Sequence, residues 1–529
     1  MKISYFFVAS LSYVSVARAS QSFEERCTDF RDSINSLPNV QATIVEYVAG
    51  SQNVSLPDND PSCNQSSQFV TADICRAAMV VKTSNSSQIV MEAWFPRNYT
   101  GRFLATGNGG FGGCIRYPEL DYTTRLGFAA VATNNGHNGT SAEAFLNSPE
   151  VLRDFADRSI HTAAKVGKEL TKRFYAEGFR KSYYLGCSTG GRQGFKSVQQ
   201  YPHDFDGVVA GAPAVHEVNL ISWAGHIYEI TGNKSEETYL PPALWNIVHS
   251  EVMRQCDGLD GAQDNLIEDP DLCHPTFENI MCPSDNKSNN GSLSCITEAQ
   301  ANTVIQLMSP YYNTDGSMLF PGMQPGSETV SSALLYTGVP TPYAKEWFRY
   351  VVYNDTNWDP TTFNIKDAQA ALKQNPFNIQ TWEGDLSRFQ NAGGKIITYH
   401  GMQDFLVSSF NSREYYKHVH ETMGLAPDQL DEFYRYFRIS GMAHCYYGDG
   451  ASYIGGSAPS AYSDDPEDNV LMAMVEWVEK GIAPEFIRGT KLDQDGHPQY
   501  TRKHCRYPRR NVYRGPGSYL DENAWECVL

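Results

Sequence analysis

Apolar positions between about residues 89 and 211 fall into two alternating patterns. Ile89 to Phe95 and Arg102 to Thr106 read as strands, and Phe128 to Thr133 as a short buried strand. From Val151 to Gly178, the residues Leu152, Phe155, Ala163, Val166, Leu170 and Phe174 follow a period near 3.6, which predicts a helix with Gly178 as its stop signal. Ser182 to Gly186 and Gly207 to Gly211 are two further strands with a short helix between them. Strand and helix in regular alternation predict an α/β fold with a parallel sheet and crossover helices.

The alternation breaks between about 215 and 390, where Pro, Asn, Asp and Gly are frequent, and this stretch reads as a large insertion. It then resumes, with a strand at Lys395 to His400, a helix at Asn411 to Met423 and a strand at Phe433 to Ile439. Asn469 to Lys480 is an amphipathic helix, and the tail after Gly481 reads as irregular. The expected architecture is one core domain built on a single sheet, residues 20–214 and 391–529, interrupted by a lid-like insertion at 215–390.

The whole chain of 529 residues carries 42 Lys and Arg against 60 Asp and Glu, a formal net charge of −18. That balance argues against nucleic-acid or anionic-membrane partners, which need a basic face. At the N-terminus, Lys2, an apolar stretch from Tyr5 to Val16 and the small-x-small triplet Ala17-Arg18-Ala19 predict a signal peptide over 1–19 and a secreted, extracellular protein. A buried N-terminal helix is the alternative. No other stretch reaches the roughly 18 apolar residues of a membrane span.

All 12 cysteines follow that leader, an even number that predicts disulfides in an oxidising compartment, and there is no C-x-x-C pair to favour zinc. Nine N-x-S/T sequons begin at Asn53, Asn64, Asn85, Asn98, Asn138, Asn233, Asn286, Asn290 and Asn354, consistent with a glycosylated secreted chain.

Gly186-Cys187-Ser188-Thr189-Gly190 fits G-x-S-x-G between a predicted strand and a predicted helix, the setting of a nucleophile elbow. On bare pattern this is a common loop sequence; its flanks make Ser188 a candidate nucleophile. A serine needs a base and an orienting acid, here in the chain order Ser, Asp/Glu, His. After the insertion, the strand ending at His400 runs into Asp404, and the strand ending near Ile439 runs into a glycine-containing loop with His444. Asp404 and His444 are therefore the candidate acid and base. His400 is the rival histidine; Asp385 and Asp449 are rival acids with no strand leading into them. The oxyanion hole needs two N–H donors. One is the amide of Thr189, and the other comes from the loop 107–113, with Gly109 and Gly110 as candidates. No Lys-Ser/Thr follows that loop, so it is not a P-loop.

Asp257 to Leu266 carries three carboxylates within eight residues, at Asp257, Asp260 and Asp264, and two glycines. Hard Ca²⁺ prefers such oxygen donors, although the spacing is not that of an EF-hand. A solvated acidic loop is the alternative. The loop is expected to lie away from the triad strands, with a structural role.

The motifs GCSTGGRQG at 186–194, HGMQD at 400–404, MAHC at 442–445 and CDGLDGAQDNLIEDP at 256–270 resemble the tannase and feruloyl esterase family of secreted serine hydrolases. The whole chain looks closest to fungal type B feruloyl esterases. The resemblance implies an α/β-hydrolase core with a large lid-domain insertion that builds an aromatic-acid pocket. It implies nucleophile Ser188, acid Asp404 and base His444, and structural Ca²⁺ held by Asp257, Asp260, Asp264 and the carbonyls of Ala262 and Leu266. The expected reaction is hydrolysis of feruloyl or p-coumaroyl esters on arabinoxylan or pectin fragments. Two other readings stand: a tannase cleaving galloyl esters, and an inactive hydrolase-like binding protein, against which an intact Ser, Asp and His set argues.

If Ser188 and His444 come within hydrogen-bond reach, their neighbours Cys187 and Cys445 come close too, which predicts a Cys187–Cys445 disulfide. Spacing suggests the local pairs Cys27–Cys75, Cys63–Cys114, Cys256–Cys273, Cys282–Cys295 and Cys505–Cys527, though sequence alone does not fix connectivity.

Overall fold

The computed structural model describes residues 21–283 and 294–529. The expected leader 1–19 and the sequons at Asn286 and Asn290 lie outside the described residues. The core is a nine-stranded sheet. Its strands are β1 (Val40–Val48), β2 (Ile74–Lys82), β3 (Gln88–Pro96), β4 (Arg102–Thr106), β5 (Phe128–Thr133), β6 (Lys181–Cys187), β7 (Gly207–Gly211), β8 (Lys395–Gly401) and β9 (Tyr434–Ile439). In space they run β1-β2-β3-β5-β4-β6-β7-β8-β9. The first three pairings, β1 with β2, β2 with β3 and β3 with β5, are antiparallel, and every pairing from β5 to β9 is parallel. The sheet thus begins at Val40, well before the strand rhythm visible from residue 89.

Parallel strands are covered on both faces, so their apolar runs are continuous. Val208 and Val209 point to opposite sides and join separate clusters. One face packs on α2 (Ser159–Phe174), α3 (Thr189–Gln200) and α8 (Ser409–Met423) through Ile160, Leu170, Phe195, Tyr415 and Val419. The other packs on α1 (Tyr117–Arg125) and α9 (Val470–Lys480) through Tyr122, Leu471, Met474 and Val475. Helix α3 holds three glycines and has poor intrinsic propensity. Packing compensates: a Cβ on Gly191 would lie 2.5 Å from the Gly211 carbonyl, so glycine is what lets α3 lie on the sheet.

The helix predicted from Val151 to Gly178 is broken. A helix over Pro149–Arg153 passes through a π-helical turn at Asp154–Arg158 into α2, which ends at Phe174. The cause is local: Arg192 of α3 takes the carbonyls of Phe155 and Ala156 at 3.3 and 3.1 Å, pulling them out of the helical ladder.

Among the described residues, 215–390 contribute no strand to the main sheet. They carry α4 (Glu217–Thr231), α5 (Pro242–Cys256), α6 (Glu298–Met308) and α7 (Ile365–Gln374) around their own buried cluster, which includes Trp223, Trp245 and Trp347. The tail expected to be irregular forms two antiparallel hairpins instead, β10 (Phe486–Leu492) with β11 (Pro498–Cys505) and β12 (Arg510–Tyr513) with β13 (Trp525–Val528). All six disulfides set out above are formed: Cys27–Cys75, Cys63–Cys114, Cys187–Cys445, Cys256–Cys273, Cys282–Cys295 and Cys505–Cys527. The described sequon asparagines Asn53, Asn64, Asn85, Asn98, Asn138, Asn233 and Asn354 all reach the surface. Among the described residues no helix is long and apolar enough to cross a membrane.

Candidate active site

Ser188 sits at the turn from β6 into α3 with φ 65° and ψ −125°, a backbone conformation that a non-glycine residue adopts only under tertiary constraint. Three bonds hold it: Ser188 N–H donates to the Gly211 carbonyl, and the amides of Arg192 and Ala214 donate to the Ser188 carbonyl, each at 3.0 Å. A Cβ on Gly190 would lie 2.9 Å from the Asn108 carbonyl, so the glycine lets the loop 107–113 press against the turn.

Asp404 and His444 stand on loops after β8 and β9. His444 Nδ1 lies 2.7 Å from Asp404 Oδ2. Asp404 is fully buried, and its Oδ1 accepts from the amides of Leu406 and Val407 at 2.8 and 3.0 Å. Burial opposes its charge. The His444 ring beside it, and hydrogen bonds from His400 and His444, nevertheless hold its carboxyl well below the usual carboxylate range. The rival histidine also belongs to this cluster: His400 Nε2 lies 3.1 Å from Asp404 Oδ2 and 2.9 Å from the Val407 carbonyl. Its Nδ1 lies 2.7 Å from Ser412 Oγ, an arrangement met by Nε2–H with the serine hydroxyl donating to Nδ1. Of the rival acids, Asp449 pairs with Gln403 and Asp385 caps Ser387; neither contacts His444.

Ser188 and His444 line one open cleft of ≈ 350 Å³ with Gly109 and Gly110. No hydrogen bond within 3.5 Å joins the Ser188 hydroxyl to His444; such bonds commonly tighten only with substrate bound. The Cys187–Cys445 disulfide, with Cα atoms 5.9 Å apart, ties the two loops together. Among the described residues, the amides of Gly109, Gly110 and Thr189 donate to no protein acceptor. The Thr189 hydroxyl donates to the Gly110 carbonyl at 2.8 Å and fixes that peptide's orientation. A second, apolar pocket opens at Ser188 and Thr189 and runs beneath the insertion, lined by Phe111, Leu220, Ile221, Trp223, Leu335 and Val407. The insertion also reaches the acid loop, where Gln324 donates to the Asp404 carbonyl and accepts from Ser409 N–H.

The acidic loop 257–266 does not lie away from the triad strands. Leu266 packs against Gly441 in the loop leading to His444. Glu268 accepts from Ser440 at 2.9 Å, and Asp269 pairs with Arg438 of β9 at 2.6 Å. The insertion folds back onto β9 because β9 ends in a cation and a hydroxyl that match these carboxylates. Within the loop, Asp257 Oδ1 accepts from the amides of Asp264 and Leu266, and Asp260 Oδ1 from that of Ala262. Asp264 Oδ2 pairs with Arg502 at 3.0 Å. Asp260 Oδ2 is buried with no partner. Burial pushes all three carboxyls up, Asp260 to about 8, so charging them together carries a desolvation cost that Arg502 alone does not offset. Carboxylates are donors that a hard divalent cation takes, but the ligand oxygens of Asp257, Asp260 and Asp264 do not all converge within 4.8 Å of one another. A tighter cluster, Asp493, Asp495 and His497, lies on the exposed β10–β11 turn.

The sheet order, the strained serine after β6 and the acid and histidine after the last two strands define an α/β-hydrolase. A family model described as tannase and feruloyl esterase matches residues 73–528. The chain belongs to the tannase and feruloyl esterase family and is a carboxylic ester hydrolase. It is 60% identical over 521 residues to a probable feruloyl esterase B-2 of Neosartorya fischeri, covering 98% of each chain. A probable feruloyl esterase B-2 of Aspergillus oryzae is 60% identical over 517 residues, 97% of each chain. The crystal structure of feruloyl esterase B from Aspergillus oryzae matches with TM-score 0.94 and 53% identity over 96% of this chain and 100% of that one. Tannin acyl hydrolase from Aspergillus niger shares the fold, with TM-score 0.76 and 21% identity over 96% of each chain.

Proposed function

We propose that this protein is a secreted serine esterase that hydrolyses feruloyl and p-coumaroyl esters of plant cell-wall polysaccharide such as arabinoxylan or pectin. The observation that carries the reading is the pair of cavities meeting at Ser188, one small and mostly apolar, the other larger and more polar. The smaller pocket takes the aromatic acyl group, and residues 215–390 act as the lid that walls it. The larger cleft takes the sugar, where Tyr446 and Tyr447 offer aromatic faces.

Ser188 attacks the ester carbonyl while His444 takes its proton, and Asp404 holds the imidazole in the tautomer that accepts at Nε2. The oxyanion forms against the amides of Thr189 and of Gly109 or Gly110; one such donor contributes about 3–4 kcal/mol in the transition state. His444 then protonates the leaving sugar oxygen, and water activated by the same histidine releases the free acid. Asp257, Asp260 and Asp264, with the carbonyls of Ala262 and Leu266, would hold calcium, which would compensate their charge and brace the loop; it would touch no reacting atom and affect the rate only through the neighbouring histidine loop.

Hydrolysis rates on methyl ferulate, p-coumarate, caffeate and gallate test the reading. Efficient release of ferulic and p-coumaric acid with little gallic acid is expected. Preferential cleavage of the gallate would replace the reading by tannase, and no cleavage of any ester would favour an inactive binding protein.

A further inference from the structure

Glu217 opens α4, is only 4% exposed, and lines the apolar pocket beside Ser188. Its Oε2 is fully buried and has no hydrogen-bond partner. The charged group that favours its ionised form is Arg192, itself buried, whose terminal nitrogens donate to the Ala156 and Phe155 carbonyls instead. Burial pushes the Glu217 carboxyl up to about 7, the sign of a carboxylate without enough donors around it. A buried acceptor of this kind carries a desolvation cost that the free protein leaves uncompensated, and such groups call for a specific explanation. Its surroundings narrow that explanation. Phe111, Leu220, Ile221, Leu335 and Val407 offer a ring apolar contact only; the polar groups that line the pocket with them, the Tyr343 hydroxyl and the Trp223 indole N–H, do not hydrogen-bond to Glu217.

We propose that Glu217 is a specificity-determining residue that accepts a hydrogen bond from the phenolic 4-hydroxyl of the bound acyl group. The enzyme then selects para-hydroxylated aromatic acyl esters over the same esters without that donor. This rests on the hydroxycinnamoyl reading above. It also separates that class from galloyl esters, because one carboxyl in a mostly apolar pocket does not serve three adjacent hydroxyls. A pocket built around a buried acceptor rejects the analogue that leaves it unpaired.

The test compares kcat/KM for methyl p-coumarate, methyl cinnamate, methyl 4-methoxycinnamate and methyl gallate in wild-type protein, Glu217→Leu and Glu217→Gln. The wild type is expected to prefer p-coumarate over both esters lacking the hydroxyl by at least about 10-fold, the discrimination of one hydrogen bond to a buried acceptor that is otherwise left unpaired. Glu217→Leu should bring that ratio close to one, and Glu217→Gln, which keeps a carbonyl acceptor, should retain part of it. The wild-type ratio is informative even if the leucine variant fails to fold. Hydrolysis of hydroxycinnamates with a wild-type ratio near one, or a ratio that survives in Glu217→Leu, would overturn the assignment while leaving the hydroxycinnamoyl reading in place. Cleavage of the gallate alone would overturn both.

Discussion

Asp404 receives four hydrogen bonds, from the Leu406 and Val407 amides and from the rings of His400 and His444. Its carboxyl, buried but held low by these partners, stays charged wherever the enzyme works. A depressed carboxylate contributes stability above its unfolded value of about 3.9 and loses it only as pH falls through the lower folded value. Between about pH 4 and 9, the pH–rate profile should therefore show no inflection from Asp404. Asp404→Asn keeps the shape but no longer holds the imidazole in the right tautomer, so kcat should fall by about 10⁴-fold. A steady-state assay finding Asp404→Asn within tenfold of wild type would remove Asp404 from the mechanism. Asp404 and His444 were legible in the sequence because each follows an apolar strand after the insertion, in the expected chain order. The part played by His400 was not. As a strand-end residue it reads as a competitor of His444, and only the turn from Gly401 to Asp404, which returns the carboxylate over the strand end, makes it a partner of the same acid.

At the scale of elements, the site is a junction of three loops: the turn β6–α3, the glycine loop after β4 and the histidine loop after β9. The Cys187–Cys445 disulfide spans a separation of 258 residues to join the first and third. A chain-entropy treatment gives about 5 kcal/mol for so long a loop, an upper figure. Replacing both cysteines by alanine should lower the melting temperature and also kcat, since a shift of about 1 Å between nucleophile and base can cost about 100-fold. Unchanged kcat in a folded double variant would reduce the disulfide to a purely stabilising link. The junction was legible because G-x-S-x-G fell between a strand and a helix. The C-terminal hairpins were not, and the reason lies in β11: its inward positions are Arg502 and His504, 1% and 0% exposed, so the period-two pattern carries polar residues on its buried side. Likewise, β2 was not legible although its partner β3 was: β2 buries Arg76 against Glu92 of β3 at 2.7 Å, a cation that interrupts its apolar run.

Across the whole molecule, the acidic loop connects the insertion, β9 and the C-terminal hairpins. Arg502 of β11 reaches Asp264 and Glu268, and Arg438 and Ser440 reach Asp269 and Glu268. Calcium there would brace the same segment that leads to His444. Metal-free protein should melt at lower temperature, with the loss set by mass action at about 2.7 kcal/mol for calcium at 100 times its Kd. It should also lose kcat, and Asp260→Asn should reproduce both effects. A melting curve unmoved in metal-free protein, with no calcium bound on back-titration, would contradict the calcium assignment. The donor types of this loop were legible as a composition of acids and glycines. Its place beside the histidine loop was not, because the contacts to Arg438 and Gly441 span more than 150 residues of chain and depend on how the insertion folds back.

The central claim is hydrolysis of hydroxycinnamoyl esters through Ser188. Its most direct test is the initial rate of ferulic acid release from methyl ferulate by wild-type protein and by Ser188→Ala, measured side by side with their melting temperatures. The account predicts steady release by the wild type and a fall of about 10⁶-fold in Ser188→Ala, because the triad acts as a unit, with the melting temperature unchanged. A Ser188→Ala protein that keeps more than a trace of the wild-type rate, or a wild type that leaves methyl ferulate intact, would contradict it.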